Sequence, residues 1–222
     1  YFGGSLGGNM GTMFAALSPD TINLNLDVPG INFSCLLQRA TPFILFQDLL
    51  SITGMTDPMI VALGLGLSHE LWVRGEPAGY VTHVTSNPLP GTNVKNVMLS
   101  QAFLDQQVSN QCTEIQARTM NVPSLVGSHR SGMPQIPDLP GPLVSAYVEY
   151  DTGSFDLANP AHAAYIPPLA NLQAKSSGCD PHGRQGFIPA SIQQLMTFFD
   201  DAGVVNYCTG PGRICDTLAS PG

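Results

Sequence analysis

Positive charge is scarce in this chain. Only 8 of its 222 residues are lysine or arginine against 16 aspartates and glutamates, a formal net charge of −8, and no stretch gathers the basic residues into a patch. Phosphate backbones and anionic bilayer surfaces are bound through clustered cations, so neither nucleic acid nor an acidic membrane is an expected partner. Long apolar runs are missing as well. The most apolar stretch, Met59–Leu67, is nine residues long and is interrupted by Gly64 and Gly66, far short of the roughly 20 residues that cross a bilayer. Cysteine is sparse, with five residues and no Cys-x-x-Cys pair, and no two histidines stand four positions apart. The usual local signatures of a metal site are therefore lacking, and no metal or cofactor is expected. The chain opens Tyr-Phe-Gly-Gly, with neither an initiator methionine nor the basic and apolar segments of a leader peptide, so it is expected to be part of a longer precursor.

What is present describes a globular domain. A hydrophobic content of 43% with 11% charged residues suffices for one sizeable core. Five residues in, Gly3-Gly4-Ser5-Leu6-Gly7 has the G-x-S-x-G form of a nucleophile elbow. Such a motif sets a serine hydroxyl on a sharp strand-to-helix turn, with glycines where side chains would collide. A helix is expected over Asn9–Leu17, from the spacing of Met10, Met13, Phe14 and Leu17, and a strand over Thr21–Val28, with Ile22, Leu24, Leu26 and Val28 on one face. Thr41–Ser51 and Pro58–Trp72 read as unusually apolar helices. Large apolar faces are usually buried, so these two are expected beneath a core rather than beside a ligand.

Further along, Asn96–Phe103 reads as a strand, Asn110–Met120 as a helix, Leu143–Tyr150 as a strand and Pro189–Asp201 as a final helix. The stretch between Gly153 and Gly186 is rich in turn signals and too long for a plain connector, which points to function. Alternating strands and helices predict an α/β fold with a mainly parallel sheet covered on both faces. Cys208 and Cys215 bracket Thr-Gly-Pro-Gly-Arg, a spacing expected to close a disulfide loop in the tail around 206–222. Cys35, Cys112 and Cys179 are scattered and are expected to be buried small hydrophobes.

A serine hydroxyl needs a base within hydrogen-bond reach, itself oriented by a carboxylate. In a parallel sheet such groups gather at the ends of strands. Asp105 follows the strand at 96–103 and His182 follows the one at 143–150, giving the order Ser5, Asp105, His182. Asp151 and Asp180 compete for the acid position, and His69, His83, His129 and His162 for the base. Asp180 is disfavoured because a carboxylate two residues from the base seldom faces its Nδ1.

With its elbow at Gly3–Gly7, Asp105-Gln106-Gln107-Val108 after one strand and Asp180-Pro181-His182-Gly183 before the last helix, the chain resembles the α/β-hydrolase family, in particular its esterase- and lipase-type members. That resemblance implies Ser5 as nucleophile, His182 as general base and acid, Asp105 as the group fixing the imidazole, and the Leu6 N–H as one oxyanion donor. It covers the C-terminal part of the family's fold, starting at the elbow strand. It therefore implies completion by an N-terminal fragment of the same precursor, and a helical cap-like insertion around 41–80. The implied activity is carboxylic ester hydrolysis through an acyl-enzyme on a small-molecule or lipid-like ester, in an extracytoplasmic setting. A peptidase or amidase of the same fold, or a non-catalytic binding module, is the alternative.

Overall fold

A computed structural model describes residues 1–154, 159–163, 165–174 and 179–208. Strand β1 (Phe2–Gly4) leads into helix α1 (Leu6–Leu17), which returns the chain to β2 (Asn23–Asp27). Helices α2 (Phe33–Arg39), α3 (Ile44–Ile52) and α4 (Pro58–Trp72) follow, and short 3-10 turns reach His83 before β3 (Asn96–Ala102). Helix α5 (Asn110–Met120), the two-residue strands β4 (Ser124–Leu125) and β5 (Asp138–Leu139), β6 (Ala146–Tyr150), the short α6 (Pro160–Ala163) and α7 (Pro189–Phe199) complete the order.

The strands form one six-stranded sheet in the order β1-β2-β3-β6-β4-β5, and each strand pair is parallel. The last strand, β6, inserts beside β3 with Ala102 opposite Tyr150, so the loops leaving these two strands start side by side. Side chains alternate across the sheet with period two. Leu24, Leu26, Val97, Leu99 and Tyr147 pack on one face with Ala15 and Ala16 of α1 and with Ala117 and Met120 of α5. Met98, Ala146, Val148 and Tyr150 face the other way, against Ile188 and Phe198 around α7. Helices thus cover both faces, as an α/β fold with a parallel sheet requires. Truncating a fully buried member such as Leu26 or Leu99 to alanine costs about 2–5 kcal/mol.

Two expectations are corrected. Helices α3 and α4 are not core: α3 buries no residue and α4 only Val61 and Leu65, while Leu45, Ile52, Met59 and Leu71 are each at least 79% exposed. The two helices pack on α2 rather than on the sheet, and a seven-residue helix is too small to cover such broad apolar faces. Cys35 and Cys112 are not isolated small hydrophobes but form a disulfide, with Cα atoms 6.1 Å apart across 77 residues. The pairing depends on α2, a helix the sequence reading leaves out, which carries Cys35 to the first turn of α5. The interval between the 96–103 and 143–150 strands also holds β4 and β5, too short to show a period. Beyond residue 208 the tail is not described, so Cys215 and its expected bond to Cys208 lie outside the described residues. No helix among the described residues is long and apolar enough to cross a membrane.

Candidate active site

Ser5 occupies the single residue between β1 and α1, with φ 54° and ψ −120°. A non-glycine residue pays roughly 1–3 kcal/mol for such a conformation, and it persists only where its surroundings hold it. Here the Ser5 N–H donates to the Asp27 carbonyl at 2.9 Å and the Ser5 carbonyl accepts from Asn9 N–H at 3.0 Å. The turn is closed by Gly3 and Gly8. A Cβ on Gly3 would collide with the Gly7 carbonyl, and one on Gly8 would lie 2.8 Å from the Asp27 carbonyl. At Gly7, the last glycine of the motif, a Cβ would meet only the Tyr1 hydroxyl at 4.0 Å. The steric need therefore falls on Gly8 rather than on Gly7.

The sheet brings Ser5, Asp105 and His182 together. His182 Nε2 lies 2.9 Å from Ser5 Oγ, and Nδ1 lies 2.8 Å from Asp105 Oδ2. With its proton on Nδ1, the imidazole donates to Asp105 and accepts from the Ser5 hydroxyl. The other carboxylate oxygen, Oδ1, accepts the N–H groups of Gln107 at 2.8 Å and Val108 at 2.9 Å. Asp105 thus has three donors in a buried position.

Asp180 faces away from Nδ1 and latches the two loops together. Its Oδ1 accepts from the His182 N–H at 3.1 Å and the Gln106 N–H at 3.4 Å, and its Oδ2 accepts from Gln107 Nε2 at 2.8 Å. Asp27 stands at the end of β2, where its Oδ1 accepts from Gln185 Nε2 at 2.9 Å. Burial works to lower the pKa of His182, but the hydrogen bond and charge of Asp105, followed by the charges of Asp180 and Asp27, outweigh it and raise the value above the ordinary imidazole range. Burial raises the Asp27 carboxyl, against the Gln185 hydrogen bond and the nearby imidazole.

No family model, curated protein or solved structure matches this chain. The site is therefore judged on its own geometry. The rival groups lie elsewhere: Asp151 is 4.0 Å from His129, whose ring packs at a tilt against Phe103, His69 meets Glu76, His83 Nδ1 contacts the Asn87 carbonyl, and His162 belongs to α6. Among the described residues no group of three or more His, Cys, Asp or Glu side chains is placed to hold a metal ion.

The Ser5 side chain opens on a cavity of about 230 Å³ walled by Leu6, Phe33, Leu36, Phe43 and Val108. Its lining is largely apolar, with Asn9 and Gln107 as the polar members. Leu6 begins α1, so its N–H belongs to the first turn, where backbone donors have no intrahelical acceptor and the helix dipole is positive. The loop between Gly153 and Gly186 is tied to the site from outside: Gln106 Nε2 donates to the Tyr165 carbonyl at 2.9 Å, and the Arg39 guanidinium donates to the Leu169 carbonyl at 3.0 Å and to Asn171 Oδ1 at 3.0 Å. The sequence reading misses the wall helix α2, although Asn32 before Phe33, Leu36 and Leu37 is a cap followed by helical spacing. It gives Asp27 no role, because nothing local in β2 shows that this strand end touches the elbow.

Proposed function

We propose that this chain is a serine hydrolase that cleaves carboxylic esters through an acyl-enzyme, with Ser5, His182 and Asp105 as its triad. The observation that carries the reading is the unbroken chain of hydrogen bonds from Ser5 Oγ through the imidazole to Asp105, set on a strained elbow at the mouth of an apolar cavity. Ser5 Oγ attacks the ester carbonyl carbon while its proton passes to His182 Nε2. Asp105 holds the ring orientation and stabilises the imidazolium. The negative charge that develops on the carbonyl oxygen is met by the Leu6 N–H at the start of α1. Collapse of the tetrahedral intermediate expels the alcohol, which takes the proton from Nε2. Water then attacks the acyl-serine by the same route and releases the acid.

The apolar cavity and the exposed apolar faces of α3 and α4 support a small or lipid-like ester over a charged substrate. The Cys35–Cys112 bridge supports an oxidising, extracytoplasmic setting. β1 lies at one end of the sheet, and this open edge supports a further polypeptide partner, expected to come from the same precursor.

The test is covalent labelling of the chain, together with any precursor segment that co-purifies, by a fluorophosphonate, read by intact mass. Stoichiometric modification at Ser5, abolished in Ser5→Ala, is expected. Ser5→Ala should also lower the hydrolysis of p-nitrophenyl esters by about 10⁶ in kcat. Absence of labelling in folded protein would sink the proposal and favour a non-catalytic binding module, while faster turnover of peptide anilides than of esters would make it an amidase.

A further inference from the structure

A second cavity, of about 420 Å³, lies on the far side of α2, lined by Leu37, Leu71, Trp72, Gly75 and Glu76. One residue lines both this space and the cavity that opens on Ser5, and it is Phe33. From this juxtaposition we infer that Phe33 is a partition that sets the acyl-chain length this site accepts. The inference rests on the ester-hydrolase reading.

The backbone that carries Phe33 is anchored on several sides, and its ring has an aromatic neighbour. Its N–H donates to Glu76 Oε2 at 2.7 Å, and Glu76, 1% exposed, is also met by His69 Nδ1 at 2.7 Å through Oε1. Its ring stands edge-on to Phe43, with centroids 6.5 Å apart at 72°. The preceding residue, Asn32, caps α2 by accepting the Cys35 N–H at 2.8 Å, and Cys35 is bonded to α5 through Cys112. These ties fix the point from which the ring projects, and Phe43 bounds one side of it.

Size then sets the substrate class. A dry cavity of about 150 Å³ holds a six-carbon ring, so the space beside Ser5 takes roughly eight or nine carbon atoms by the same measure. The site is accordingly built for esters of medium-chain fatty acids. Inward extension of a longer chain meets the Phe33 ring, and the space behind it would hold the remainder.

The experiment compares hydrolysis of p-nitrophenyl octanoate and palmitate, with rates taken per Ser5 labelled by fluorophosphonate. The native chain should favour octanoate in kcat/KM. Phe33→Ala joins the two cavities and should raise the palmitate-to-octanoate ratio by about tenfold or more, the effect of a few methylenes gained in an apolar pocket. The change should fall mainly on the palmitate KM. Adding Leu37→Trp, which refills the far cavity, should return the ratio towards native. Should Phe33→Ala fail to fold, Phe33→Leu must show the same change in smaller measure. An unchanged ratio in a variant that still labels and still hydrolyses octanoate overturns the partition and leaves the hydrolase reading standing. A chain that neither labels nor hydrolyses any ester removes both.

Discussion

The base at the centre of the proposed mechanism works against its own burial. His182 must be neutral to take a proton from Ser5, yet Asp105, Asp180 and Asp27 surround it with acidic groups that favour the charged ring. Its pKa therefore lies above the ordinary imidazole value near 6.5, and the sign of the pH dependence follows. Hydrolysis should be low where the imidazole is protonated and rise with pH through a value above that of a free histidine, read as the acidic limb of kcat/KM. Asp105→Asn removes the largest raising influence and leaves desolvation, so the limb should move to lower pH. It also removes the acceptor that fixes Nδ1–H, so kcat should fall by about 10⁴. Asp27→Asn, which spares every hydrogen bond within the Ser5, His182 and Asp105 chain, should move the limb the same way by less, with only a modest loss of kcat. A limb that stays in place in both variants would mean that the titrating group is not His182.

At the scale of single elements, the wall of the cavity depends on one covalent tie. Cys35 in α2 and Cys112 in α5 close a span of 77 residues, for which the chain-entropy account gives about 4.5 kcal/mol of stabilisation and measured removals commonly give about 2–5 kcal/mol. In a domain of this size each kcal/mol moves the melting temperature by roughly 2–4 °C. Replacing both cysteines by alanine should thus lower melting by roughly 10 °C, measured by circular dichroism, and an unchanged melting curve would remove the bridge from the account of stability. This tie also marks where the sequence stops being readable. Helices α1, α5 and α7 and strands β2, β3 and β6 are legible because each runs long enough to show a period or an apolar face. The meeting of Ser5, Asp105 and His182 is legible because Ser5 and Asp105 closely follow strand ends and His182 stands among turn-forming neighbours shortly before the last helix. Helix α2 hides behind Pro29-Gly30 and spans only seven residues, β4 and β5 hold two residues each, and a cystine spanning 77 residues leaves no local trace. Apolarity alone misplaces α3 and α4, since a greasy helix looks the same whether the sheet or a single short helix lies beneath it.

For the whole molecule, the open end of the sheet governs behaviour in solution. Both end strands are short, β5 two residues and β1 three, so the surface flanking each edge decides between them. The β1 end is different: Phe2 is 57% exposed, and α1 beside it turns Leu6, Met10, Phe14 and Leu17 outward along one stripe. A strand edge flanked by apolar surface recruits another chain unless something covers it. The net charge of −8 opposes association between copies through long-range repulsion, and salt screens that repulsion without weakening the apolar contact. Chain 1–222 on its own should therefore self-associate as concentration rises, more strongly at high ionic strength, with sedimentation velocity as the measurement. Phe2→Lys, which places a charge on the edge, should shift the distribution back to monomer. A precursor segment seated on β1 and on Met10, Phe14 and Leu17 of the stripe should do the same, and because Leu6 belongs both to the stripe and to the Ser5 cavity, labelling of Ser5 in the paired form shows whether that segment stops short of the cavity. A chain that remains monomeric at every concentration and salt tested would show that this edge needs no partner, and the proposal of one would fall.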